Sequence, residues 1–136
     1  MASEYKTAGI KSTQGDIVIL IVENELLNAK LVESFLKNQY LYETVEDGNS
    51  AIEKSKNNKY SLVLMDINLG KGMSGIETTK VIRRIEGYEN VPIIAMTAFA
   101  MKGDEKEFIS EGCTDYISKP FIQNDLLVLI DKHLNN

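Results

Sequence analysis

Short apolar, β-branched runs alternate with amphipathic stretches along most of this 136-residue chain. That alternation restricts the fold more than any other feature. Ile17-Val18-Ile19-Leu20-Ile21-Val22 is apolar at every position, as a strand must be when both faces of its sheet are covered. Leu27, Leu31, Phe35 and Leu36 then recur near helical spacing. Tyr42 to Glu46 reads as a weaker strand towards a sheet edge, closed by an Asp47-Gly48 turn, and Ser50 with Glu53 has capping-box spacing for a short helix. Ser61 to Asp66 is a second buried strand and ends in a carboxylate.

A glycine-rich loop runs from Leu69 to Ser74, and Ser74 caps a helix with Glu77, whose stripe is Ile76, Ile82 and Ile85. Val91 to Met96 is another buried strand, ending at Thr97. Lys102 to Glu111 reads as a half-exposed helix with Phe108 and Ile109, stopped by Gly112. Asp115 to Ser118 is a short fifth strand, and Ile122 to Leu134 a last helix with Leu126, Leu127, Ile130 and Leu134 inward. Five βα units in succession predict a parallel sheet covered on both faces, wound by right-handed crossovers. Residues 1–15 are polar and without period and read as a flexible leader; residues 16–136 form one domain.

Composition removes several classes of function. Fifteen basic residues against 20 acidic ones give a net charge of −5, which argues against a free-standing nucleic-acid binder. The longest apolar run has six residues, where a bilayer span needs about 20. A single cysteine, Cys113, and no secretory signal fit a reducing cytoplasm, and Cys113 itself reads as a small buried residue. The lone His133 shows no partner spacing and takes no catalytic role.

In an open α/β sheet, ligands bind beyond the carboxyl ends of the strands, where the strand order reverses. Glu23, Asn24 and Glu25 follow the first strand, Asp66 and Asn68 the third, Thr97-Ala98 the fourth and Lys119-Pro120 the fifth. A strand-end carboxylate can act as a nucleophile towards phosphorus. A divalent cation held by oxygens offsets the repulsion between the two anions, a lysine pairs with a phosphoryl oxygen, and a threonine hydroxyl bonds another.

With those residues in place, the chain resembles the receiver domains of two-component response regulators over about residues 16–134. The segments that carry the resemblance are Ile21-Val22-Glu23-Asn24-Glu25, Leu64-Met65-Asp66-Ile67-Asn68, Gly72-Met73-Ser74-Gly75, Met96-Thr97-Ala98 and Asp115-Tyr116-Ile117-Ser118-Lys119-Pro120-Phe121. Ala98 to Asp104 is similar to receivers associated with hybrid sensor kinases. The resemblance implies a flavodoxin-like (βα)5 fold with strand order 2-1-3-4-5 and a cis Lys119-Pro120 bond. It implies Asp66 as phosphoacceptor, Thr97 as switch hydroxyl, Lys119 as the phosphate-pairing lysine and Tyr116 as switch aromatic. Glu23, Asn24, Asp66 and the Asn68 carbonyl are the implied Mg2+ ligands. A histidine kinase or histidine phosphotransfer protein is the implied donor, and a downstream protein is met through the fourth helix, fifth strand and fifth helix.

The implied role is signalling rather than turnover, apart from the domain's own phosphorylation and dephosphorylation, and output is by protein contact or within a larger kinase or regulator. Two departures stand out. Asn24 occupies a position that is usually aspartate, so metal affinity is expected to fall, and Phe99 places a bulky apolar group where water reaches the acyl phosphate. The rival readings are a pseudo-receiver that works without phosphorylation and a small phosphatase-like enzyme. No G-x-x-x-x-G-K-[ST] loop or cap domain supports the second.

Overall fold

The computed structural model describes residues 16–98 and 104–135. The leader, Phe99 and the start of the expected fourth helix at Lys102 lie outside the described residues. The elements alternate without exception: β1 (Val18–Val22), α1 (Leu26–Leu36), β2 (Leu41–Val45), α2 (Gly48–Asn57), β3 (Leu62–Asp66), α3 (Gly75–Arg83), β4 (Ile93–Thr97), α4 (Asp104–Ser110), β5 (Asp115–Ser118) and α5 (Gln123–Leu134). All pairings are parallel and the strand order is β2-β1-β3-β4-β5, so β2 is an edge strand as expected.

Strand side chains alternate between the two faces of the sheet. Val18, Leu20, Val22, Val63, Met65, Ile93 and Ala95 join one core with residues of α2, α3 and α4. Ile19, Ile21, Leu62, Leu64, Ile94 and Met96 join the other with residues of α1 and α5. The continuous apolar runs in the sequence are therefore two alternating sets, one for each layer.

Three sequence readings are corrected. Helix α1 does not turn Leu27 and Leu31 inward; they are 79% and 47% exposed, and Ala29, Val32 and Leu36 face the sheet instead. Both sets have helical spacing, and the small Ala29 side chain lets the helix lie close to the strands. The cap of α2 is Asp47 rather than Ser50: the Asp47 carboxylate accepts the Ser50 backbone N–H at 2.7 Å. The Asp47-Gly48 pair is thus the start of the helix itself. His133 has a partner, Asp115, at 2.8 Å from its Nε2.

Other local readings hold. Ser74 and Glu77 form a reciprocal capping box on α3. Gly112, with φ of 115°, ends α4: its N–H donates to the Ile109 carbonyl and that of Cys113 to the Phe108 carbonyl, a Schellman pair. The Lys119-Pro120 peptide is cis.

Candidate functional site

Parallel register brings the ends of β1, β3, β4 and β5 to one edge. Met65 pairs with Val22, Asp66 with Met96, and Thr97 with Ser118. The residue after each strand is then fixed by its neighbour's backbone. Glu23 N–H donates to the Val45 carbonyl at 3.0 Å, Ile67 N–H to Met96 at 3.0 Å and Lys119 N–H to Thr97 at 2.7 Å. Lys119 is 96 residues from Glu23 in sequence, yet its Nζ donates to Glu23 Oε1 at 2.9 Å and lies 3.4 Å from Asp66 Oδ1.

Close packing of α3 on the end of β3 shapes the floor. A Cβ on Gly75 would come within 2.7 Å of the Ile67 Cα and closer still to the Asp66 carbonyl oxygen, so no larger residue fits without moving the backbone that carries Asp66. The Asn68 N–H returns to Asp66 Oδ1 at 3.1 Å and holds that carboxylate in place.

The electrostatics follow from burial. Glu23, Asp66 and Thr97 are 2%, 4% and 5% exposed. Burial is the first cause that raises the Glu23 carboxyl above its usual range. The neighbouring Asp66 carboxylate raises it further, and Lys119 pulls it part of the way back. Both Glu23 oxygens have partners: Oε1 takes the Lys119 ammonium and Oε2 accepts the Glu25 N–H at 3.2 Å.

These groups line a cleft of about 480 Å³ with Asn24, Glu25, Asn68 and Ala98. Four of the expected residues, Glu23, Asp66, Thr97 and Lys119, and both asparagines therefore meet in one place. Asn28 and Gly70 also line the cleft and were missed by sequence reasoning. The available signal for Asn28 was its place in the first turn of α1, the helix that starts just after Glu23 and Asn24. Tyr116 does not reach the cleft lining; its hydroxyl donates to Glu105 Oε2 on α4 at 2.8 Å, and its ring lies against Phe108.

The donor set is oxygen throughout, and two adjacent carboxylates share one ammonium, so the cleft suits a hard divalent cation in kind. In number it is sparse. Among the described residues no three His, Cys, Asp or Glu side chains are grouped to hold a metal ion directly, and residue 24 contributes an amide. An apolar groove of about 340 Å³ adjoins the cleft, walled by Leu31, Val32, Pro120 and Phe121, with Glu23, Asn28, Ala98 and Lys119 common to both.

Fold and cleft together define a small doubly wound α/β domain whose polar site lies at the point where the strand order reverses, beside β1 and β3. The chain belongs to the response regulator receiver domain family, whose model matches residues 19–131. It is a receiver domain of two-component signalling.

It is similar to the polar-differentiation response regulator DivK of Brucella anthropi, 37% identical over 120 residues that cover 87% of this chain and 96% of that protein. It is also 37% identical over 128 residues to hybrid signal transduction histidine kinase G of Dictyostelium discoideum; that match covers 91% of this chain but only 4% of the kinase. Among solved structures, the receiver domain of sensor histidine kinase PA1611 from Pseudomonas aeruginosa superposes with a TM-score of 0.82 at 32% identity, covering 90% of this chain and all of that one. That receiver has a magnesium ion coordinated in its active site cleft. Vibrio cholerae CheY4 superposes with a TM-score of 0.83 at 26% identity, over 88% of this chain and all of that one. Among the described residues no helix is long and apolar enough to cross a membrane.

Proposed function

We propose that Asp66 accepts a phosphoryl group from a phosphohistidine on a kinase or phosphotransfer partner. The P–N bond to the donor imidazole breaks as a P–O bond to an Asp66 carboxylate oxygen forms. The observation that carries this reading is the single ammonium, Lys119, lying within reach of both Asp66 and Glu23 in a buried cleft. Asp66 is the nucleophile because it ends β3 at the centre of the sheet, with its backbone fixed by Gly75 and its side chain by the Asn68 N–H. Lys119 exchanges Asp66 for a phosphoryl oxygen, and Thr97 at the end of β4 donates its hydroxyl to another.

Glu23, Asp66, Asn24 and the Asn68 carbonyl would hold Mg2+, which supplies positive charge beside the incoming phosphoryl oxygens. With Asn24 neutral, two carboxylates remain in that set, and binding is weaker than in a site with three. The domain is a signalling element rather than an enzyme acting on a separate substrate, and it works in the cytoplasm.

The donor covers the cleft mouth and the apolar groove next to it, which accounts for the exposed Leu27 and Leu31 on α1 and the exposed Ile122 before α5. Output runs through the face of α4, β5 and α5. Tyr116 links β5 to α4 through Glu105, and engagement of Thr97 releases that link.

A second reading is supported by Asn24 and the missing third acid: a pseudo-receiver that binds partners without phosphorylation. The test is intact mass after incubation with a small acyl-phosphate donor, with and without Mg2+, beside Asp66→Asn. A single phosphoryl adduct that needs Mg2+ and is absent from the variant is expected. No adduct on folded protein across a range of Mg2+ concentrations would favour the pseudo-receiver.

A further inference from the structure

Glu25 is at odds with its local position. It is the N-cap of α1, with extended backbone (φ −97°, ψ 121°), yet its side chain makes no capping bond. N-caps favour Ser, Thr, Asp and Asn, whose short side chains reach back to the free N–H groups of the first turn; glutamate has no such advantage. Here the backbone N–H of Glu25 is already taken by Glu23 Oε2, and the residue lines the same cleft as Glu23, Asp66 and Asn68. Locally unfavourable choices in a folded sequence concentrate at functional sites.

Charge supplies the other half of the argument. Counting Glu23, Asp66 and Lys119, the cleft carries −1; with Glu25 it carries −2. The acid absent at position 24 is thus present one residue later; both positions are exposed at the cleft rim, above the buried Glu23 and Asp66. A cation such as Mg2+ dehydrates reluctantly and keeps several of its waters, so a nearby carboxylate can attract it through that shell without ligating it. A carboxylate at position 25 adds attraction of the kind that an amide at position 24 lacks.

We propose that Glu25 is the third acid of this receiver's divalent-cation site, acting on the ion's water shell and compensating for Asn24. This rests on the reading of the cleft as a cation site. It identifies Glu25 as a residue that sets metal affinity, not as a catalytic one.

The experiment is an amide chemical-shift titration with MgCl2 at constant ionic strength, on the wild type, Glu25→Gln, and Glu53→Gln as a remote acid on α2. Neither phosphoryl donor nor partner is needed, and the spectra report folding directly. The expected result is saturable shifts around residues 22–25, 66–68 and 97–98 in the wild type and Glu53→Gln. Glu25→Gln is expected to bind about tenfold more weakly, equivalent to about 1.4 kcal/mol. The double variant Asn24→Asp with Glu25→Gln moves the charge back by one residue and is expected to bind at least as tightly as the wild type.

Saturable wild-type binding that Glu25→Gln leaves within twofold would overturn the role of Glu25 and leave the cation site standing. Failure of the double variant to regain affinity would also overturn it. Absence of any saturable shift in the wild type would overturn the cation site, and this inference with it.

Discussion

Replacing Lys119 with methionine isolates the electrostatics on which the cleft depends. In the wild type its Nζ is 2.9 Å from Glu23 Oε1 and 3.4 Å from Asp66 Oδ1. At an effective dielectric constant near 20, unit charges at those separations attract by about 6 and about 5 kcal/mol. Most of that is offset by the desolvation of all three groups, and removing one partner of a buried pair typically costs about 3–5 kcal/mol. The Lys119 side chain keeps 20% of its surface exposed. The lower end, about 3 kcal/mol at neutral pH, is therefore expected.

The pH dependence provides the sharper check. The Glu23 carboxyl is already raised by burial and then by Asp66, with Lys119 opposing both. Without Lys119 it rises further. A carboxyl raised on folding binds its proton more tightly in the folded state, so its penalty is absent below the unfolded pKa, grows as pH rises from there to the folded pKa, and is constant above it. The deficit of Lys119→Met should therefore shrink steadily as pH is lowered from about 8 towards 5. Urea unfolding followed by far-ultraviolet circular dichroism, in the presence of a chelator, measures it. A deficit below about 0.5 kcal/mol at neutral pH, or one that does not shrink on acidification, would refute the reasoning.

Gly75→Ala should destabilise the domain by about 2–3 kcal/mol and shift the amide signals of Ile67 and Asn68, because its Cβ meets the backbone of Asp66 and Ile67. Arg83 donates to the carbonyls of Gly112, Tyr88 and Val91 and to Thr114 Oγ1, joining the end of α3 to the strand entries of β4 and β5. Arg83→Met should cost about 2–4 kcal/mol in the same unfolding assay, with Arg83→Lys recovering only part. Glu105→Gln should bring the Tyr116 phenol back down towards its ordinary pKa, since its bond to Glu105 is the first cause that raises it; ring-resolved NMR titration of the tyrosines reads this directly.

Much of the fold was legible because the code for it is local. The continuous apolar runs at Ile17–Val22, Ser61–Asp66 and Val91–Met96 announce strands buried on two faces, and each lies within a residue or two of the strand observed. Ser74 with Glu77, and Gly112, mark helix ends by chemistry that reaches only three or four residues. The same locality explains the cap misread on α2, where Asp47 and Ser50 both carry side chains able to cap. Helical spacing could not choose between Leu27-Leu31 and Ala29-Val32-Leu36 on α1, since either set forms a stripe and only the sheet decides which one is covered.

For the site, the sequence by itself determined which chemistry-bearing residues follow each strand: Glu23, Asp66, Thr97 and Lys119, with an amide at position 24. Tertiary structure alone decided their geometry. Parallel register set the strand ends side by side, the long-range reach of Lys119 tied two buried carboxylates to one charge, and the entry of α3 at Gly75 left room for nothing larger beside Asp66. It also placed Tyr116 against Glu105 and His133 against Asp115, partners that no spacing reveals. Side-chain identity is a local property, whereas distance and burial depend on the packing of segments far apart in sequence, and the electrostatics of this cleft are made almost wholly of the latter.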